Sequence, residues 1–180
     1  VQGLLGNQGT QGLQGTVGAT GVGGTLSYYG VWQNNSTITA ANTNTAYAIS
    51  YDTQDFANGW YKSNGSQLVC PAYGVYNIQY SIQWHDGGGG GSGTDAQVWL
   101  AKNGTTVPDT NSVFTIANSS PYVIGAVNYV LPLNAGDYVE LMWSTNNTSI
   151  NMPYLGITAP APATPAIIVT ITPVNYAIQG

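Results

Sequence analysis

Glycine stands at every third position, from Gly3 through Gly6, Gly9, Gly12, Gly15, Gly18 and Gly21 to Gly24, and the register stops before Ser27. Sterics explain such a period. Three polyproline-II-like chains wound together leave room only for glycine at their shared axis. A flexible glycine-rich linker has no reason to keep period three. The repeat therefore asks for three chains, with these glycines on the triple-helix axis. The run holds no Pro to preset its backbone and no Lys–Glu pairs, and Gln, Thr and Val fill its other positions. It should melt alone, so whatever follows must hold the trimer. At about 3.1 Å per residue it would reach roughly 70 Å.

Residues 1–25 thus read as a collagen-like stalk and 26–180 as one head, long enough to bury a core of its own. Only 5% of the chain is charged, against 43% hydrophobic, and thirteen Tyr and five Trp oppose disorder. The cations are Lys62 and Lys102, with no Arg. That excludes nucleic acid and anionic membranes as partners, since both are bound mainly through Lys and Arg. Cys70 is alone, which rules out an intrachain disulfide and suits a small buried hydrophobe. No signal peptide or transmembrane segment is visible. The sequence opens mid-repeat at Val1 without Met, so an upstream segment is expected to carry any targeting or anchoring.

The head reads as all-β. Tyr76, Ile78, Tyr80, Ile82 and Trp84 share one parity within 74–84, with Asn77, Gln79, Ser81 and Gln83 on the other. Ala96, Val98 and Leu100 alternate with Gln97, Trp99 and Ala101 before a Lys102-Asn103-Gly104 turn. Val123, Gly125, Val127, Tyr129 and Leu131 form another strand, closed by the turn Asn134–Asp137, and Val139, Leu141 and Trp143 continue it on the return. Ile167, Val169 and Ile171 belong to a final stretch, Ile167 to Val174, that is apolar on both faces and reads as a strand covered on both sides. These residues are the expected core or trimer packing. Eight to ten strands at this spacing indicate a β-sandwich, with a jelly roll favoured.

Three segments add a resemblance. Gln67-Leu68-Val69-Cys70-Pro71-Ala72-Tyr73-Gly74-Val75-Tyr76 resembles the pre-strand and Gly-x-Tyr strand of the complement-head/tumour-necrosis-factor superfamily. Val98-Trp99-Leu100-Ala101-Lys102-Asn103-Gly104 is similar to its next strand and Lys-Asn-Gly turn. Leu133-Asn134-Ala135-Gly136-Asp137-Tyr138-Val139 is similar to its Leu-x-x-Gly-Asp-x-Val motif. Their order and spacing cover most of the head, and a collagen stalk before such a head is the superfamily's habitual plan. The resemblance implies a jelly-roll homotrimer. Asn77-Ile78 and Ile168-Val169-Thr170-Ile171 depart from the family's Phe-rich strands. With the low charge and the Asn/Thr-rich loops, they look more like the collagen-plus-head fibres of bacteriophages and large viruses; bacterial spore-surface filaments share the plan. The animal members' receptors and calcium sites do not carry over.

Chemistry is sparse. The acids are Asp52, Asp55, Asp86, Asp95, Asp109, Asp137 and Glu140. Asp52 and Asp55 lie close enough to suggest a glycosidase pair or half a calcium site, though loop carboxylates bonding nearby amides are the commoner case. Asp137 suits a turn bonding its own backbone. His85-Asp86 precedes the loop Gly87 to Gly91 with no nucleophile motif after it. No phosphate loop, Cys-His cluster or dinucleotide fingerprint is present. No enzyme activity, cofactor or metal is expected. The aromatics Tyr28, Tyr29, Trp32, Tyr47, Tyr51, Trp60, Tyr61 and Tyr73 offer core packing first and sugar stacking second. The expected function is attachment of a phage or other surface fibre to a host cell through glycan, with receptor-binding residues unassigned and the upstream part joining other virion or surface proteins. A purely structural virion decoration or bacterial (cell or spore) surface filament is the alternative, and a polysaccharide-degrading tip comes third.

Overall fold

A computed structural model describes residues 28–88, 94–117 and 122–174. The repeat glycines Gly3, Gly6, Gly9, Gly12, Gly15, Gly18, Gly21 and Gly24 lie outside the described residues, as do 89–93 of the glycine-rich loop. Everything regular in the described residues is β-strand. In chain order these are β1 (Tyr29–Asn34), β2 (Ile38–Thr39), β3 (Tyr47–Ala48), β4 (Thr53–Asn58), β5 (Tyr61–Ser63), β6 (Gln67–Val69) and β7 (Gly74–Asp86). There follow β8 (Thr94–Lys102), β9 (Thr105–Thr106), β10 (Ser112–Ile116), β11 (Val123–Leu133), β12 (Tyr138–Thr145), β13 (Ile150–Met152) and β14 (Ile167–Pro173). The count exceeds the expected eight to ten because pieces of two or three residues add to the long strands.

Two antiparallel sheets result. The first runs β4-β1-β14-β7, with β11 also paired to β7 and with β13 and β2 continuing from the far end of β7. The second runs β10-β8-β12-β6-β5, joined by β3 and β9. The even-numbered side chains of β7 are buried, and so are Ala96, Val98 and Leu100 of β8 and Val139, Leu141 and Trp143 of β12. With Ile167, Val169 and Ile171 they form one hydrophobic cluster between the sheets. Trp84 of the first sheet meets Trp143 of the second at 5.9 Å between ring centroids. This is the arrangement of a β-sandwich: inward residues interdigitate and alternate with outward ones.

Trp84 also dictates a glycine. A Cβ on Gly125 of β11, which pairs with Ile82, would fall 2.6 Å from the Trp84 indole nitrogen and 2.8 Å from the Phe114 ring. At the Asn103-Gly104 turn both residues have positive φ, 51° and 77°, and Lys102 pairs with Thr105 across it. That is the two-residue hairpin whose twist matches its strands.

Two expectations are corrected. The turn Asn134–Asp137 does not return β12 alongside β11, since β11 pairs with β7 and β12 with β8, β6 and β3. The chain changes sheets there, because the turn is fastened to the loop after β6: the Cys70 N–H donates to Asp137 O and the Gly136 N–H to Cys70 O. Strand alternation states which side chains face in, and it does not state which sheet supplies the neighbour. Nor is the final strand covered on both faces within one chain. β14 lies between β7 and β1 and buries Ile167, Val169 and Ile171, while Ile168 points outward and is 37% exposed.

Candidate functional site

The acids that suggested chemistry are mostly occupied with holding loops. Both Asp52 oxygens accept from the Asn35 N–H, at 2.9 and 3.0 Å, and the hydroxyls of Ser36 and Thr53 add to them. Partial burial pushes its carboxyl pKa up, but these hydrogen bonds outweigh burial and hold it below the ordinary value. Asp55, three residues on, is exposed. Register shifts there from Val31↔Phe56 to Trp32↔Gln54, so Asp55 is the extra residue of a β-bulge. Asp52 thus plays the local role of an amide-bonding loop carboxylate.

Asp86 is buried at the end of β7, where it accepts from Ser149 Oγ at 2.5 Å and the Gly88 N–H at 3.2 Å. His85 stacks on Tyr122 at 4.9 Å. Among the described residues no hydrogen bond places this imidazole between carboxylate and hydroxyl, as a catalytic triad requires. Asp137 ties three turns together. Its carboxylate accepts from Lys102 Nζ at 2.8 Å, the Asn134 N–H and Asn103 Nδ2, and these hold its pKa down to about 2, the lysine contributing most. Cys70 is buried and its thiol pKa is pushed up by desolvation, so it stays protonated beside its acceptor, Ala72 O. No group of three or more His, Cys, Asp or Glu side chains comes together among the described residues.

Of the aromatics singled out in the first half, Trp32, Tyr51 and Trp60 are core, and Tyr28 and Tyr47 lie half-buried against it. Tyr29, Tyr61 and Tyr73 are exposed. Tyr29 belongs to a wider surface, the outer face of the first sheet. There it meets Phe56 edge-on at 5.9 Å, and Phe56 is 59% exposed. Ile168 of β14 and Ile124 and Val130 of β11 open onto the same face, the last two 58% and 57% exposed. The outward residues of β1, β7, β11 and β14 include no Lys, Arg, Asp or Glu. Gln33, Asn77, Gln79, Ser81 and Asn128 lie between these apolar residues on the same face, so exposed aromatic and branched side chains alternate there with uncharged polar ones.

The second sheet's outer face differs. Gln97, Val113, Thr115 and Glu140 alternate there with the core residues, and Trp99 lies half-buried beside a hollow of about 360 Å³. Alternation placed Trp99 outward without assigning it a role. Its signal was parity: the largest side chain of β8 stands opposite to Val98 and Leu100, where a strand with one dry face needs nothing large.

No family model matches this chain, and no curated protein matches it either.

Proposed function

We propose that this chain is the stalk and head of a homotrimeric surface fibre of the phage or viral kind, and that its head attaches the fibre to a host cell through glycan. The single observation that carries the trimer is a coincidence of place. The Gly-X-Y register, which needs three chains, ends at Gly24, and β1 begins five residues later at Tyr29, in the sheet whose outer face exposes Tyr29, Phe56, Ile124, Val130 and Ile168 among uncharged polar side chains. Two further copies of this chain are the occupants of that face. Subunit interfaces are depleted in charge and enriched in aromatic side chains at their centres, which matches Tyr29, Phe56, Ile124, Val130 and Ile168. Closed symmetry around the stalk axis then gives each copy the same neighbours. A jelly-roll connection of the two sheets, in the manner of the complement-head and tumour-necrosis-factor folds, fits the change of sheet between β11 and β12.

Attachment follows from what such an assembly leaves outside: a polar surface poor in cations, with aromatic and amide side chains. The test joins two measurements on the whole chain. Light scattering should give the mass of three chains, and purified protein should bind host cells saturably and compete with the intact particle for adsorption. A monomer in solution would sink the fibre reading. A trimer that leaves adsorption untouched would leave only the structural role.

A further inference from the structure

We infer that the hollow beside Trp99 on the second sheet's outer face is a binding site for a neutral pyranose unit of a surface glycan. The inference rests on the attachment reading and gives that reading its site and its ligand class.

The hollow is built and held. Gln97 and Trp99 rise from β8, and the loop from Val107 to Asn111 arches over them. Two bonds fix the arch to the strand, from the Val107 N–H to Leu100 O at 2.9 Å and from the Leu100 N–H to Thr110 Oγ1 at 3.1 Å, and Thr110 Oγ1 closes the arch on Val107 O at 2.8 Å. Tyr129 adds its hydroxyl to Thr110 O from the other sheet. Thr110 is buried, while Asp109 beside it is exposed and holds a left-handed φ of 61°. The volume of about 360 Å³ lies at the small end of ligand pockets, roughly 300–1,000 Å³.

Its chemistry is unspent: of the acids among the described residues only Asp55, on the exposed β4 bulge, shares that state, and no hollow is described beside it. Asp52, Asp86, Asp95, Asp137 and Glu140 all accept hydrogen bonds from protein groups. Asp109 accepts none among the described residues, and the Trp99 indole N–H donates none. Asn111 Nδ2 donates to Gln97 Oε1 at 3.0 Å, an amide pair that leaves the Asn111 carbonyl and the Gln97 NH2 facing solvent. Free donors and acceptors thus surround an indole ring. A pyranose has an apolar C–H face to lie on such a ring and hydroxyls at its rim, each both donor and acceptor. Hydroxyls donating to the Asp109 carboxylate form the stronger, charge-assisted bonds.

Charge fixes the class further. An anionic sugar would set its carboxylate or sulfate against Asp109 with no cation to pair it. Lys102 is committed to Asp137 and Lys62 to Tyr51 O. The ligand is therefore not anionic, and the neutral pyranose is the class proposed. The hollow also opens from the sheet opposite the proposed assembly face, so three copies stay accessible in the trimer.

The test uses the full chain on immobilised oligosaccharides ending in neutral hexoses or N-acetylhexosamines, beside their sialylated and sulfated counterparts. Host-cell adsorption and solution mass are measured in parallel. Neutral members should bind and charged ones should not. Trp99→Ala should weaken binding about tenfold or more, and Trp99→Tyr should restore part of it. Asp109→Asn, whose side chain suits the left-handed backbone, should weaken it severalfold without disturbing the fold. Tyr73→Ala, an exposed aromatic elsewhere, should bind as the parent does. If trimeric Asp109→Asn and Trp99→Ala both bind as the parent does, or only charged glycans bind, the site is wrong. Parent trimers that adsorb to cells yet ignore every neutral glycan would overturn the site and leave attachment standing. Trimers that adsorb to nothing would overturn both.

Discussion

The two outer faces of this sandwich are made from the same kind of strand and do opposite things with their outward residues. On the first sheet, Tyr29, Phe56, Ile124, Val130 and Ile168 leave apolar surface open among uncharged polar side chains, with the one acid, Asp55, at the β4 margin. On the second, Gln97, Asn111, Asp109 and Trp99 leave hydrogen-bonding groups open around a ring. The inward faces are alike, meeting in one hydrophobic cluster. The difference teaches that the core decides the fold, while the outward parity is free to be spent, and each sheet spends it differently. One face has the makings of an interface between copies and the other of a wet contact with something hydroxylated.

The comparison breaks most completely at the first face. Val130→Lys combined with Ile168→Lys should reduce the solution mass from three chains to one, because charges at an interface centre go unpaired on burial. Val113→Lys on the second face should leave the mass unchanged, and loss of trimer from that variant instead would reverse the two assignments. Inside, Gly125→Ala should cost about 1–3 kcal/mol, read as a fall in melting temperature, since its Cβ has only the Trp84 and Phe114 rings to meet. Ala126→Ser, one residue along and outward, should be nearly silent.

Smaller effects come from the carboxylates. Asp137 has a folded pKa near 2, below its unfolded value. Its stabilisation is therefore complete above the unfolded pKa and disappears as pH falls from about 5 towards 2. Asp137→Asn should flatten that acid limb of a stability–pH curve. As the group is close to solvent, the loss at neutral pH should stay below about 1 kcal/mol. Smallest of all, Asp55→Asn should leave the melting temperature where it was, and neither it nor Asp52→Asn should alter any glycan's chain length. Turnover of host polysaccharide that vanished in either variant would favour the third reading, a polysaccharide-degrading tip, over attachment alone.

Much of the fold was legible because β7, β8 and β12 each alternate cleanly, and period two suffices to tell inside from outside. The turn at Asn103-Gly104 was legible for a similar reason, as its residues are those that tolerate positive φ. The change of sheet after Leu133 was not, because it depends on Cys70, more than sixty residues away in the chain and adjacent only after folding. Outward apolar residues of β14 looked like a strand dry on both sides; sequence does not say whether the covering surface belongs to the same molecule or another. The role of Trp99 was not legible, since aromatics read alike in a sequence whether they pack a core, as Trp32, Tyr51 and Trp60 do, or face outward. The site is made by an arch from another stretch of chain, 107–111, whose closeness to Trp99 depends on Thr110 reaching the Leu100 N–H.

The bulge at Asp55 matters on a scale larger than one head. β4 is the last strand of its row, and an unbroken edge there would offer bare N–H and C=O groups to any other exposed strand. The extra residue puts a kink and a negative charge in that margin. Crowded side by side, such heads would meet neighbours at every thermal collision, and a straight margin would let them knit into aggregates. A single misfit residue thus blunts this margin against strand-to-strand pairing with another molecule.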